Sequence, residues 1–210
     1  MKHALLGAAS VLFLMAGGAF AAPADRPGHE TPKPGTNSET MSAVKDTTAG
    51  LVGQISAEMT STTKGFVTAA AICDMYEVAA GKIAVQRAQS PEVKEFAQKM
   101  VDAHTETTDK LKGIIANNNN INVTPPAHVD SRRQGMLDNL RGAKAEDFDH
   151  RYISQQVAAH KEADILMRGY AKDGDNAAIK DFAATTDKAV KMHLSMAQKL
   201  DASTQSASNR

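Results

Sequence analysis

Four ionisable residues stand where a helical core would normally carry apolar ones. Glu77 lies between Cys73 and Ala80, and His104 follows Ala97 and Met100. His160 precedes Ala163 and Met167, and His193 lies between Val190 and the pair Met196-Ala197. Each interrupts an apolar arc with i, i+3, i+4 spacing, so each is aimed at the interior of a helical fold. A lone carboxylate in such an interior is costly and must find a cation, a hydrogen-bonding partner or a proton. Three neutral imidazoles with one carboxylate suit a single divalent transition ion, with zinc, iron and copper as the candidates. A Glu–His network held only by hydrogen bonds would satisfy the same groups without a metal. On the sequence, both readings stay open.

The surrounding residues narrow the chemistry. A di-iron carboxylate site needs Glu-x-x-His on two helices, whereas Val101, Val157 and Val190 precede the three histidines by three positions. Too few carboxylates remain to bridge two irons, which disfavours ferroxidase chemistry and favours a mononuclear site. Met100, Met167, Met192 and Met196 lie near the histidines, and a copper(I) role competes there with ordinary core packing. Cys73 is the only cysteine, and its place on an apolar stripe reads as a buried, inert thiol. His29, His128 and His150 read as exposed. No nucleophile–base pair, phosphate-binding loop, dinucleotide fingerprint or Cys-x-x-Cys is present, so no enzyme activity is assigned.

The elements that must position these residues announce themselves by repetition. Val93-Lys94-Glu95-Phe96-Ala97 recurs as Ile179-Lys180-Asp181-Phe182-Ala183, each copy opening a helix after a short turn. Helices are expected from about 64 to 89, from 91 to the asparagine run 117–120, from 145 to 172, and from just after Asp175 to about 201. Ser90-Pro91 restarts the chain with an N-cap and a first-turn proline, and Asp173-Gly174-Asp175 offers a stop and a new N-cap. Residues 121–129, with Pro125-Pro126, cannot continue a helix and form the crossover; a short helix near 131–141 should bring Met136, Leu137 and Leu140 onto the bundle. Two helical hairpins joined by one long crossover are the plan of an all-α, ferritin-like four-helix bundle. Counting along the repeat at ~1.5 Å per residue sets all four ionisable residues within roughly one helical turn in height. Cys73, Phe96, Met167 and Phe182 are expected inside.

The N-terminus reads as a secretory signal over residues 1–21: Lys2 and His3, an apolar stretch from Ala4 to Met15, then Ala19-Phe20-Ala21 as the cleavage site. Residues 22–40, with Pro23, Pro27, Pro32 and Pro34, should be a flexible tether. An N-terminal accessory helix is expected over 41–62, the bundle domain over 63–201 and a fraying tail over 202–210. The 24 basic and 24 acidic residues balance, and no basic stripe is interleaved with aromatics, which argues against nucleic-acid binding. No later segment is apolar for long enough to span a bilayer. The mature chain is expected to be periplasmic or outer-membrane-associated. An envelope partner, docked through the tether and accessory helix, is the alternative role, with the bundle as a rigid body.

Further motifs carry a resemblance. Phe66-Val67, Tyr76-Glu77-Val78, Gly81-Lys82 and Ser90-Pro91-x-Val93-Lys94-x-Phe96-Ala97-x-x-Met100-Val101-Asp102-x-His104 are followed in order by Phe148-Asp149-x-x-Tyr152, Ala159-His160, Phe182-Ala183 and His193. This series resembles the domain of unknown function numbered 4142, over about 65–200. The resemblance implies a ferritin-like bundle of an exported, mostly bacterial family with no established activity. Two departures stand out against it. Ala103 replaces an acidic residue commonly found before the histidine of the second helix, and Thr186-Asp187 replaces a Leu-Pro that would kink the last one.

Overall fold

A computed structural model describes residues 56–208, all of whose regular elements are helices. The signal-like segment 1–21, the tether 22–40 and residues 41–55 of the expected accessory helix lie outside the described residues. What is described of that accessory helix is one short element, α1 (Ala57–Ser61), begun by the Ser56 hydroxyl accepting from the Met59 N–H.

Most of the helices begin where a side chain satisfies an orphan N–H group of the first turn; the one that starts after Lys144 has no such cap. Helix α2 (Thr63–Arg87) is capped by Thr62, whose hydroxyl accepts from the Gly65 N–H. Helix α3 (Pro91–Ala116) has the expected start: the Ser90 hydroxyl accepts from Glu92 and Val93, and Pro91 opens the first turn. Helix α4 (Ser131–Gly142) lies at the end of the crossover, capped by the Asp130 carboxylate. Helix α5 (Ala145–Asp173) follows directly, and α6 (Ala177–Ser208) completes the bundle.

Two carboxylates pin the hairpin turns to other helices. Asp149, in the second turn of α5, accepts from the Gln89 and Ser90 N–H groups in the α2–α3 turn. Asp175, in the α5–α6 turn, accepts from the Thr63 N–H at 2.8 Å and from the Thr63 hydroxyl at 2.6 Å. This corrects one expectation: Asp175 does not cap α6. Asn176 does so, its side-chain oxygen accepting from the Ile179 N–H. Gly174 also works differently, with φ at −64°, so no left-handed stop is involved. Glycine is needed because a Cβ there would meet the Tyr170 ring. Helix α6 likewise continues past Asp201 to Ser208, through a sequence with no proline or glycine to end it.

Helix α2 packs against α3 and α5, and α6 packs against the same two, giving a four-helix core; α1 and α4 flank it. The close α2–α3 approach runs through Gly81, where an added Cβ would fall 2.9 Å from the Ala97 carbonyl oxygen. The apolar interior divides into two clusters. One contains Tyr76, Ala84, Val93, Phe96, Phe148, Tyr152 and Ala197; the other contains Phe66, Ala70, Leu111, Met167, Tyr170, Ile179 and Phe182. Helices α3 and α5 therefore run from the first cluster to the second, and α2 and α6 run the opposite way. The crossover and α4 bring the chain back along the length of the bundle, and Met136, Leu137 and Leu140 of α4 join the first cluster.

The repeated segments behave alike. Val93, Phe96 and Ala97 are buried, as are Ile179, Phe182 and Ala183, but at opposite ends of the bundle. Met167 is also buried. Cys73 is only half-buried as a residue, because it faces α4 from the shoulder of α2; its Sγ lies 3.8 Å from Arg133 Nη2.

Phe96 is 2 % exposed, with its ring centroid 6.2 Å from that of Tyr152. Replacing it by alanine removes the largest apolar group that α3 gives the first cluster. Phe96→Ala is expected to lower unfolding free energy by about 3–5 kcal/mol. Urea denaturation followed by circular dichroism checks this, and a loss below about 1 kcal/mol would contradict such a core.

A candidate metal centre between two apolar clusters

The gap between the two clusters is filled by ionisable side chains, one level on each long helix. On α3, His104 lies between Met100 of the first cluster and Leu111 of the second. On α5, His160 lies between Ala159 and Ala163, and on α6, His193 lies between Val190 and Ala197. On α2, Asp74 and Glu77 lie at the boundary beside Tyr76. All five are buried, His160 to within 1 % of full burial.

The three histidines converge. Their ring centroids form a near-equilateral triangle with sides of 5.6, 5.6 and 5.8 Å. Each ring offers one nitrogen such that all three atoms lie within 4.8 Å of one another. Three buried imidazole nitrogens have no hydrogen-bond partner: His104 Nε2, His160 Nε2 and His193 Nδ1.

The other nitrogens explain why these are free. His104 Nδ1 is 2.8 Å from Asp74 Oδ1, and Asp74 Oδ2 accepts from the Thr108 hydroxyl at 3.2 Å. His160 Nδ1 is 2.9 Å from the Gln156 carbonyl oxygen, one turn back on its own helix. A carbonyl oxygen only accepts, so that nitrogen carries the proton and Nε2 keeps its lone pair. Bonds of this kind, to a carbonyl and to a carboxylate, fix the tautomer and orientation of metal-ligating histidines.

Electrostatics keeps two of the rings in the ligand form. Burial, followed by the charge on His104, pushes His160 down to about 3. Burial, with His160 and His104 beside it, pushes His193 down to about 3 as well. Both are therefore neutral at neutral pH, the form that binds a metal. His104 goes the other way: burial opposes its charge, but the Asp74 hydrogen bond and the charges of Glu77 and Asp74 outweigh it. The carboxyls of Asp74 and Glu77 are themselves raised, burial being the largest cause in each.

Of the four residues expected at the site, the three histidines come together and Glu77 stands beside them. Glu77 Oε1 is 4.0 Å from His160 Nδ1, the nitrogen already engaged with Gln156, and Glu77 Oε2 has no hydrogen-bond partner. The three-histidine group can hold a divalent metal, with two carboxylates behind it.

The family model described as a domain of unknown function (DUF4142) matches residues 51–200. The chain belongs to that family. No curated protein and no solved structure matches it. In this DUF4142 bundle the site thus rests on its own geometry.

Asp74 escaped the sequence reading. An aspartate on the shoulder of an apolar arc is ordinarily solvated, yet its i+3 relation to Glu77 and i+4 relation to Ala70 put it on the buried face. Its carboxylate supports His104 from α2, although Ala103 leaves α3 without an acidic residue there. A second buried polar group was also missed. Arg133 of α4 is among the largest fully buried side chains, and its guanidinium bonds Glu162 of α5, which Arg132 also bonds at 2.9 Å. It stacks over the Tyr76 ring at 4.7 Å. Burial pushes the neighbouring Cys73 thiol up to about 11, leaving it protonated and unreactive. His128 and His150 are exposed.

The depressed histidines set a pH dependence for the metal-free protein. His160 and His193 protonate near 3 when folded and near 6.5 when unfolded, so between these values the unfolded chain binds more protons. Their neutral burial contributes stability above pH 6.5 that is lost as pH falls toward 3. The raised carboxyls of Asp74 and Glu77 act in the opposite sense, so the diagnostic is a difference between variants. Urea denaturation from pH 7 to pH 4 should show a shallower stability loss in His160→Gln and His193→Gln than in the parent chain. Parallel curves would contradict neutral burial.

Proposed function

We propose that this protein is an exported, metal-binding four-helix bundle of the cell envelope, holding one divalent transition ion through His104, His160 and His193. The carrying observation is the convergence of three buried imidazoles, each with an unpartnered nitrogen, on one point between the apolar clusters. A bare polar network would be expected to bond those nitrogens to one another or to Glu77, since unpaired buried polar atoms are costly. Here two rings make their hydrogen bonds through Nδ1, and one buried nitrogen of each of the three rings is left without a partner.

Charge supports the same reading. A doubly positive ion among three neutral imidazoles needs anions nearby, and Asp74 and Glu77 supply two. Glu77 acts as a nearby carboxylate in this assignment, opposite the engaged nitrogen of His160. Zinc, iron and copper all accept imidazole donors, and zinc-sized ions take them at about 2.0–2.1 Å. The alternative role as an envelope interaction module with a purely structural polar core leaves the three free nitrogens unexplained.

Metal-free protein should take up one equivalent of zinc or cobalt(II) in equilibrium dialysis read by elemental analysis. His104→Ala and His193→Ala should each lose most of it while remaining folded. Zinc should also raise the melting temperature of the parent chain but not of the variants. No stoichiometric uptake of zinc, cobalt, iron or copper would leave the polar core structural.

Export is proposed from the leader-like residues 1–21, and family membership is consistent with it. No helix among the described residues is long and apolar enough to cross a membrane. Mass analysis of envelope-fraction protein should find a mature N-terminus at or within a few residues of Ala22. An intact Met1 in a fraction that requires detergent would favour an uncleaved anchor.

A further inference from the structure

We infer that a metal at this centre keeps one coordination position for an exogenous small ligand, water or a small anion, reached through the groove between α3 and α6. The inference rests on the metal-binding reading above and concerns what that ion would do.

The first ground is the count of protein donors. Three nitrogens lie within 4.8 Å of one another, and among the described residues no carboxylate oxygen joins that group. Nδ1 and Nε2 lie on different edges of an imidazole. Asp74 meets His104 at Nδ1, and Glu77 approaches His160 at Nδ1, while the free nitrogen of each ring is Nε2. An ion held on the Nε2 side of those two rings is turned away from Asp74 Oδ1 and Glu77 Oε1, the oxygens that face them at Nδ1. Zinc-like ions that receive four protein ligands are structural; those that receive three keep an exchangeable position.

The second ground is where that position opens. His104 and His193 both line a groove of about 740 Å³ between α3 and α6, whereas His160 and Glu77 do not. A water occupies about 30 Å³ of liquid volume, so space is ample for a molecule of several heavy atoms. Ala103 and Ala189 line it beside the two histidines, and Thr107 and Thr186 add hydroxyls. The ionic groups of the groove wall are Glu106, Lys110 and Asp181, and Glu106 is paired with Lys110 at 2.6 Å. Met192 is the one soft donor lining this groove, and the residue is 54 % exposed. The chemistry that fits is a water-sized molecule or a small anion binding the ion directly, beside small side chains.

Cobalt(II) gives the test, because its visible spectrum reports the ligand set. Full-chain protein is loaded with cobalt(II), bound metal is counted by dialysis, and sodium azide is titrated in while the spectrum is recorded. The expected result is saturable change in the cobalt bands of the parent chain and of Met192→Leu. In Ala189→Leu, which narrows the groove, the apparent azide Kd should rise at least about tenfold while cobalt stays bound. Circular dichroism checks that the variant is folded, and Ala103→Leu tests the same wall from the opposite helix. Cobalt bound stoichiometrically with a spectrum indifferent to azide would overturn this inference and leave the metal-binding reading standing. Azide binding unchanged in both leucine variants would overturn the groove as the route. Failure to bind cobalt at all would overturn the inference together with the reading beneath it.

Discussion

Everything in this bundle is arranged around the cost of placing ionisable groups at mid-height in an apolar core. An ordinary four-helix bundle runs one hydrophobic seam from end to end. Here the seam is cut in two, and the cut is lined by His104, His160, His193, Asp74 and Glu77. Each apolar cluster has its own aromatic contacts, Phe96–Tyr152–Phe148 in one and Tyr170–Phe66–Phe182 in the other. The two clusters act as clamps above and below the polar layer. They hold the four helices closely enough for rings from three of them to converge.

That constraint explains features remote from the histidines. The turns are tied down by Asp149 and Asp175, which link each hairpin to the other and limit sliding of one past the other. Helix α4 covers the polar layer from outside: Arg133 spans the gap between α2 and α5, stacking on Tyr76 and bonding Glu162. A buried guanidinium is tolerable only when paired, and this pair adds little to stability beyond removing its own penalty. Its effect is positional. Tyr76 is one residue from Glu77, and Glu162 is two from His160, so the latch holds two site-bearing helices in register.

The fold was legible because its signals agree at several levels. The repeat around Phe96 and Phe182, the Ser90-Pro91 restart and the double proline of the crossover all specify two hairpins and one long return. The co-levelling of the histidines was legible for a related reason. His104 and His193 each fall near the middle of a helix opened by the same phrase, and mid-points coincide whichever way the hairpins are oriented. What escaped was the polar content of the core. Asp74, Arg133 and Glu162 are residue types that one-dimensional patterns assign to solvent, and only pairing across helices makes their burial affordable. Such partnerships join positions 30 or more apart in the chain in the case of Asp74 and His104, so periodicity within one helix cannot register them. The cap at Asn176 rather than Asp175 has the same origin, since a tertiary bond to Thr63 takes the stronger local candidate.

The polar layer also bears on which kind of metal site this bundle can build. A bridged two-metal centre draws several carboxylates from the four helices into the middle. Here Asp74 supports His104 at Nδ1, Glu77 Oε1 approaches the engaged nitrogen of His160, and the group whose ligand atoms converge is three imidazoles. Valine at 101, 157 and 190 closes the positions from which a helix-borne glutamate would bridge. The result is a nitrogen-rich cluster that could hold a divalent ion, with Asp74 and Glu77 beside two of its rings. An ion held by that triad alone would have no anionic oxygen among its protein ligands, and would keep more electrophilic character than one ligated by carboxylates.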